Sequence, residues 1–210
     1  MRVLSAWGLA LLLSLPAWQS GSAATGDETP AAPARIAAKA REHNARTLPP
    51  VGFVRFCGQH PGECTPTPGP AEIVMSAERW RLVYRLNSFV NARIQPESDQ
   101  TLYGEAEYWA YPTVAGDCED YALLKQRYLE RLGLPRSALL IAVVLDEVNE
   151  GHAVLMLRTR EGDFVLDNRH NRIPTTAEAG YTFLKRQSQN DPREWVSLTP
   201  PGKVLARMTD

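Results

Sequence analysis

The sequence predicts an α+β domain in which helices pack on an antiparallel β-sheet. The first half of the chain carries apolar residues at helical spacing, whereas the second half carries short apolar runs between turn residues. Helices followed by consecutive strands are typical of this class. With 44% hydrophobic residues, 22% charged residues and a net charge of -1, the composition is that of a globular protein. The near-neutral charge argues against a nucleic-acid-binding protein.

The first 24 residues have the layout of a secretory signal peptide. Arg2 precedes an apolar run from Val3 to Leu15, Pro16 ends the run, and small residues follow as far as Ala24. The alternative is an uncleaved membrane anchor, but the run is shorter than the roughly 20 apolar residues that span a bilayer. We therefore expect cleavage after Ala23 or Ala24, and a periplasmic or secreted protein without a transmembrane segment.

The rest of the chain divides by composition. Residues 25–50 are rich in Ala and Pro and are interpreted as a linker, with at most a short helix over Ile36–His43. We expect one folded domain over residues 51–200 and a tail over residues 201–210. A domain of this length buries a core without depending on a disulfide framework.

Two helices are predicted in the first half of the domain. Ser76 is a candidate N-cap for a helix that ends before Pro96. The residues at helical spacing in this segment are Trp80, Val83, Tyr84, Asn87, Val90 and Ile94. The second helix runs from Asp117 to Leu132 and stops at Gly133, a residue common at helix C-termini.

The second half of the domain predicts strands. The candidates are Ala138–Leu145, His152–Arg158, Phe164–Leu166, Tyr181–Lys185 and Trp195–Leu198. The first is wholly apolar and rich in β-branched residues, which indicates a buried strand. A turn over Glu161–Asp163 joins the next two as a hairpin. A short third helix is expected over Thr176–Ala179.

The densest polar cluster of the sequence lies at the start of the second helix, in GDCEDY over residues 116–121. We expect Asp117 to cap the helix and Asp120 to complete a capping-box-like arrangement, which puts Cys118 in the first turn. The helix N-terminus favours a thiolate, and its backbone N–H is a natural oxyanion donor. The adjacent acids oppose the thiolate, so a nucleophilic cysteine needs a base. The alternative is an inert cysteine in a solvated helix start.

His152 and Asp167 supply the missing groups. His152 opens the second predicted strand and Asp167 follows the third, so pairing of the two strands sets them side by side. A helix-start cysteine that faces this edge completes a Cys–His–Asp constellation, in which Cys118 attacks a carbonyl, His152 moves protons and Asp167 orients the ring. Each residue alone is more often structural, and the catalytic interpretation depends on their order and spacing together.

These segments resemble the bacterial transglutaminase-like cysteine peptidases, the LapG-like superfamily. The resemblance is carried by GDCEDYALLK, GHAVLMLRT and FVLDN, and it extends from Phe56-Cys57 to the final predicted strand. It implies a transglutaminase/papain-like core and a hydrolase that cuts a protein substrate in the periplasm or at the cell surface through an acyl-enzyme. Matched residue by residue, the family's triad falls on Cys118, His152 and Asp167.

The same resemblance implies a calcium site. Some members of the family are periplasmic proteases that cut a surface adhesin and need calcium, which is bound by the acids flanking the catalytic cysteine. The matching positions are Asp117 and Glu119, with Asp120 close by. Hard oxygen ligands suit calcium, although three carboxylates do not complete its shell. The alternative is that Asp117 and Asp120 cap the helix and that Glu119 is solvated.

The other two cysteines, Cys57 and Cys64, lie in a turn-rich segment with six residues between them. In an exported protein such a pair can form a disulfide. The alternative is a zinc site, but His60 is the one further His or Cys ligand nearby. A disulfide here leaves Cys118 as the free thiol.

Two aromatic residues precede the cysteine box. Tyr108 and Trp109 are candidates for a wall of the substrate cleft, and the alternative is that they are core aromatics.

The triad leaves the reaction partly open. A transglutaminase, a deamidase or an amidase would use the same three residues. A non-catalytic, calcium-responsive binding module is a third class of function, and an intact triad argues against it.

Overall fold

A layer of helices covers one face of a six-stranded antiparallel sheet in the computed structural model, which describes residues 45–199. The expected signal peptide, the helix expected over residues 36–43 and the tail over residues 201–210 lie outside the described residues. Within residues 45–199, the helices are too short or too polar to cross a bilayer.

The described part of the chain forms four α-helices. They are α1 (Val51–Gln59), α2 (Ala77–Arg93), α3 (Asp99–Tyr103) and α4 (Cys118–Arg131). The Ser76 hydroxyl accepts a hydrogen bond from the Arg79 N–H at 3.2 Å, so the N-cap predicted for α2 is confirmed. α4 ends as predicted before Gly133, whose φ of 89° few side-chain-bearing residues adopt.

The five predicted strands are present in the predicted order, and three further two-residue strands precede them. They are β1 (Arg46–Thr47), β2 (Gln95–Pro96), β3 (Ala115–Gly116), β4 (Leu139–Leu145), β5 (Gly151–Thr159), β6 (Gly162–Leu166), β7 (Thr182–Gln187) and β8 (Trp195–Ser197). The main sheet has the order β1-β8-β7-β4-β5-β6, and every neighbouring pair is antiparallel. β2 and β3 form a separate parallel pair. The α+β class is therefore confirmed.

The central strands are buried on both faces. Ile141 and Leu155 belong to the cluster beneath the helices, whereas Ala142 and Val154 belong to a second cluster on the opposite face. This alternation has the period of two that a strand imposes. Burial on both faces explains why β4 is a continuous apolar run.

An aromatic group joins α1 to the far end of the sheet. Phe53 packs edge to face against Trp109, with ring centroids 5.4 Å apart, and against Trp195 of β8 at 5.5 Å. The backbone of α1 also approaches Trp109 closely. A Cβ at Gly52 would lie 2.3 Å from Cδ1 of Trp109. Rings at these separations and angles attract one another as well as burying area.

Two local expectations differ from the structure. The helix expected over Thr176–Ala179 is wrong, since these residues form a hydrogen-bonded turn in which Glu178 N–H and Ala179 N–H both donate to Thr175 O. Gly180, with a φ of 78°, then redirects the chain into β7. Conversely, α1 was not predicted, and β1 lies within the residues interpreted as a linker.

Candidate active site

Three chain segments meet at one end of the sheet. Cys118 is the first residue of α4, His152 is the second residue of β5, and Asp167 directly follows β6. β5 and β6 pair with Leu155 opposite Leu166, so the start of β5 lies beside the end of β6. α4 packs against β5, which brings its first residue to the same edge.

The structure brings His152 and Asp167 into direct contact. His152 Nε2 lies 3.0 Å from Asp167 Oδ1, and both side chains are buried. The backbone N–H of Ala153 donates to Cys118 Sγ at 3.3 Å, so the sulfur lies against the strand that carries the histidine. Because Nε2 faces the aspartate, Nδ1 is the ring nitrogen left to exchange a proton elsewhere.

Asp167 is held by several donors. The Tyr181 hydroxyl donates to Oδ2, and the Arg169 N–H donates to Oδ1 at 3.1 Å. The Asn91 side-chain amide donates to the backbone carbonyl of Asp167 at 2.9 Å. Burial alone would raise the pKa of Asp167, but the hydrogen bonds from His152 and Tyr181 and the charge of His152 hold it below its ordinary value. The carboxyl is therefore ionised at neutral pH.

Cys118 is held as a thiol in this arrangement. Its S–H donates to Glu119, with Sγ 3.1 Å from Oε2. Burial and then the charge of Glu119 raise the pKa of the thiol well above its ordinary value, and the Ala153 N–H opposes them. Burial and the acids thus raise the thiol pKa more than the helix N-terminus can lower it. The sequence predicts these opposing effects on the sulfur.

The predicted capping box is formed only in part, because the backbone N–H of Asp117 acts on the Asp120 carboxyl but the Asp117 side chain makes no capping hydrogen bond. Asp117 does occupy the N-cap position of α4, but its carboxylate accepts from the Asp99 N–H at 3.4 Å. Asp120 Oδ1 accepts from the Ala110 N–H at 2.8 Å and so holds the preceding loop. Gly116 makes room for this, since a Cβ there would lie 2.5 Å from Asp120 Oδ2.

Three carboxylates gather beside the cysteine. One oxygen each of Asp99, Asp117 and Glu119 lies within 4.8 Å of the others. Asp99 replaces Asp120 in the set of acids that the sequence suggested. The short parallel pair of β2 and β3 brings Asp99 close to the start of α4, because this pair ends with Pro96 opposite Gly116. Two residues in each strand give no periodic signal, so the pattern of residues does not predict that Asp99 reaches the site.

Negative charge is unfavourable in this cluster as it stands. Burial raises the pKa of Asp99 to about 6, and the charge of Asp117 adds to this effect. A hydrogen bond from the Tyr108 N–H acts in the opposite direction. Burial also raises the pKa values of Asp117 and Glu119. Oδ1 of Asp99 and Oδ1 of Asp117 are buried and have no hydrogen-bond partner among residues 45–199. Such a donor set fits a hard divalent cation, which would satisfy these oxygens and relieve their repulsion.

A cleft of about 380 Å³ opens over the sulfur and the imidazole. Besides Cys118, Glu119 and the start of β5, its lining residues are Pro50, Val51, Glu107, Trp109, Val143 and Lys185. Trp109 thus stands in the cleft wall. Tyr108 instead packs on Tyr103, with ring centroids 4.4 Å apart, and under the Arg55 guanidinium. Of the two candidate aromatics, the structure brings one to the site.

Cys57 and Cys64 form a disulfide, so that prediction is confirmed. The bond joins the last turn of α1 to the 3₁₀ turn Pro61–Cys64. It consumes both sulfurs, which removes the zinc alternative. Cys118 is the free cysteine of the described residues.

Comparison with known proteins gives a family match and a set of similar structures. The family model described as bacterial transglutaminase-like cysteine proteinase matches residues 43–203. Calcium-bound Legionella pneumophila LapG is 25% identical over 60% of this chain and 77% of its own, with a TM-score of 0.48. A second structure of Legionella pneumophila LapG is 19% identical over 77% of this chain and 95% of its own, with a TM-score of 0.48. An EGTA-treated form is 20% identical over 77% and 97%, with a TM-score of 0.47. Comparison with curated proteins gave no match.

Proposed function

The chain belongs to the bacterial transglutaminase-like cysteine proteinases, and from this premise we propose that it is an exported peptidase that cleaves a protein through a Cys118 acyl-enzyme. The observation that carries the proposal is that His152 contacts Asp167 and lines the same cleft as Cys118. Nucleophilic catalysis by a cysteine needs a base for its thiol, and a buried histidine that is paired with a carboxylate can serve as that base.

In the first half of the reaction, the Cys118 proton passes to His152 and the sulfur attacks the scissile carbonyl carbon. The tetrahedral intermediate collapses as the carbon–nitrogen bond breaks, and His152 gives the proton to the leaving amine. A thioester to Cys118 remains. Asp167 keeps the ring in the tautomer with Nε2–H and stabilises its charged form.

In the second half, water replaces the amine. His152 Nδ1 takes a proton from the water as its oxygen attacks the thioester, and the Cys118 sulfur leaves and recovers a proton. The backbone N–H of Cys118, at the first residue of α4, is suited to donate to the oxyanion in both halves.

We propose Asp99, Asp117 and Glu119 as ligands for Ca²⁺. The support is the approach of the three carboxylates to within 4.8 Å and the two orphaned oxygens among them. A bound ion would supply positive charge beside the site. Asp120 is committed to the Ala110 N–H and is a structural acid in this proposal.

We propose that the protein works in the periplasm after removal of residues 1–24. The apolar run with its small-residue boundary supports export. The Cys57–Cys64 disulfide supports an oxidising compartment, because cytosolic proteins seldom keep such bonds.

The proposal is tested by comparing the exported proteins of cells that carry the natural chain, Cys118→Ala or His152→Ala. We expect a proteolytic fragment that is present only with the natural chain and that is restored by adding the purified enzyme. Cross-linked products in place of fragments would assign amine transfer instead. Identical protein patterns in all three strains would contradict a peptidase.

Thiol labelling tests the triad without a substrate. Cys118 should react with iodoacetamide near neutral pH, and His152→Ala should slow the reaction sharply, because only the thiolate is nucleophilic. His60→Ala is the matched control, since His60 is an exposed histidine at the C-terminal end of α1. If Cys118 reacts only after denaturation, the catalytic assignment fails.

A further inference from the structure

We propose that Tyr181 is a positioning residue of this peptidase, whose hydroxyl holds the Asp167 carboxylate and whose ring holds the His152 imidazole. The inference rests on the proposed function, because it adds a fourth residue to the proposed triad. The sequence pattern does not indicate this role, because it predicts Tyr181 only as the first residue of a strand.

The two oxygens of Asp167 have separate side-chain donors. Oδ1 lies 3.0 Å from His152 Nε2, and Oδ2 accepts from the Tyr181 hydroxyl. A carboxylate held at one oxygen can still rotate about its bond to Cβ. Donors at both oxygens fix the plane of the group, and with it the direction in which Oδ1 meets the imidazole.

The Tyr181 ring also touches the histidine directly. The ring centroids of Tyr181 and His152 are 5.7 Å apart with an interplanar angle of 77°, which is an edge-to-face contact. Aromatic pairs favour this geometry. Tyr181 therefore restrains both partners of the histidine–aspartate pair, one by a hydrogen bond and the other by ring packing.

The backbone of Tyr181 is fixed independently of the residues that it restrains. Gly180 turns the chain with a φ of 78°, and Tyr181 then packs against the apolar cluster on the sheet face opposite the helices. The adjoining β7 pairs with β4, where Val144 lies opposite Phe183, and β4 pairs with β5, where Val144 lies opposite His152. The sheet thus sets the distance between tyrosine and histidine.

The hydroxyl serves as a donor and not as a base. Burial, together with the hydrogen bond to Asp167 and its negative charge, raises the pKa of Tyr181 above its ordinary value. The phenol is therefore protonated near neutral pH, where Asp167 is ionised. The Tyr181 hydroxyl therefore donates to a charged acceptor, and such hydrogen bonds are stronger than those between neutral groups.

Other contacts hold the Asp167 backbone when the hydroxyl is removed. Asn91 donates to the carbonyls of Asp167 and His170, and the Arg169 side chain pairs with Asp146 at 2.8 Å. We therefore expect Tyr181→Phe to fold with its loop in place, so that the variant isolates the effect of the hydroxyl group.

The test compares the full chain with Tyr181→Phe, Tyr181→Ala and a control, Tyr128→Phe. Tyr128 is a half-buried tyrosine of α4 that packs against a different apolar cluster. We expect the iodoacetamide rate of Cys118 to fall about tenfold in Tyr181→Phe, the size of one lost hydrogen bond to a charged group. It should fall further in Tyr181→Ala, which also loses the ring, and stay unchanged in the control.

A second readout separates positioning from folding. The proton on His152 Nε2 should give a downfield NMR signal, assigned by its loss in His152→Ala, and this signal should move or broaden in Tyr181→Phe at temperatures where the variant is fully folded. An unchanged rate and an unchanged signal in Tyr181→Phe would overturn the inference. If instead His152→Ala reacts as fast as the natural chain, the proposed function fails, and the NMR signal alone then decides the role of Tyr181.

Discussion

The Cys118 thiol donates a hydrogen bond to Glu119, and the same carboxyl group belongs to the acid cluster with Asp99 and Asp117. One side chain therefore touches both the proposed nucleophile and the proposed metal ligands. A change in the charge of Glu119 must act on the sulfur, because the two groups are in contact.

The first prediction concerns this shared carboxyl. In chelator, Glu119→Gln should increase the iodoacetamide rate of Cys118 at pH 10 by about three- to tenfold. The pKa of Glu119 is raised to about 9, so above this pH the variant removes a negative charge that raises the thiol pKa, and one pKa unit changes the thiolate fraction up to about tenfold. Glu130→Gln, at the far end of the same helix, is the control. A rate that stays the same or falls in Glu119→Gln would show that this charge does not restrain the sulfur.

The second prediction concerns pH and calcium. The pKa of Asp99 is raised to about 6, above the value of about 4 expected for an unfolded aspartate. Between these values the folded state binds more protons than the unfolded state, so stability should increase as pH falls through this window. In EGTA, the melting temperature should therefore rise from pH 7.5 to pH 5.5. Asp167 does not interfere, because its lowered pKa puts its titration below this range. Asp120 and Glu119, with pKa values raised to about 8 and about 9, act in the same direction as Asp99, and they outweigh the opposite effect of buried Lys125, whose pKa is lowered to about 7.

Calcium should raise the melting temperature at pH 7.5 and flatten this pH dependence, since a bound ion neutralises the carboxylates that protons neutralise at lower pH. Asp99→Asn should weaken both effects. Equal melting temperatures in calcium and EGTA at pH 7.5 would remove the metal from the proposal and leave the triad untouched.

The third prediction concerns the disulfide. Cys57 and Cys64 are 7 positions apart, so replacing both by Ser should cost about 2–3 kcal/mol in the free energy of unfolding on the chain-entropy model. For a domain of this size the loss corresponds to a melting temperature lower by about 5–10 °C. The measurement is thermal unfolding in a Cys118→Ala background, which itself serves as the control. If reductant leaves the melting temperature of that background unchanged, the bond does not contribute.

The fourth prediction concerns the cleft wall. Gly52→Ala would place a Cβ 2.3 Å from Trp109, so the indole must move and the cleft must change shape. We expect a loss of about 1–3 kcal/mol in stability and a lower rate of substrate cleavage.

Gly58→Ala is the matched control on the same helix, because a Cβ at Gly58 meets nothing within 4 Å in the described part of the chain. It should be neutral or stabilising by up to about 1 kcal/mol, since alanine favours a helix over glycine. Equal stability of the two variants would contradict the close packing of α1 on Trp109.

The residues proposed as catalytic could be found from the sequence because local rules fix their places. A helix start, a strand start and the end of a hairpin partner give Cys118, His152 and Asp167 without knowledge of distant contacts. Asp99 and Tyr181 could not be found this way. Asp99 reaches the site through a two-residue strand pair, and Tyr181 through the order of strands in the sheet.

Helix α1 was missed for a related reason. It contains Gly52 and Gly58, which lower its intrinsic helix propensity. It forms because Phe53 and Phe56 are buried in the main cluster, a gain that depends on Trp109 and Trp195 far along the chain. The turn at Thr176–Ala179 was misread because residue type alone does not reveal the positive φ at Gly180 that ends it.

The packing of Trp195 against Trp109 has a consequence that depends on the order of synthesis. Trp195 of β8 packs against Trp109 with ring centroids 6.4 Å apart, so the wall of the cleft rests on a segment that is synthesised well after Cys118. A growing chain contains its nucleophile more than 70 residues before that support arrives. The nascent protein therefore contains Cys118 before the Trp109 wall of the cleft has its support, and the cleft can take its final shape only after β8 has been synthesised.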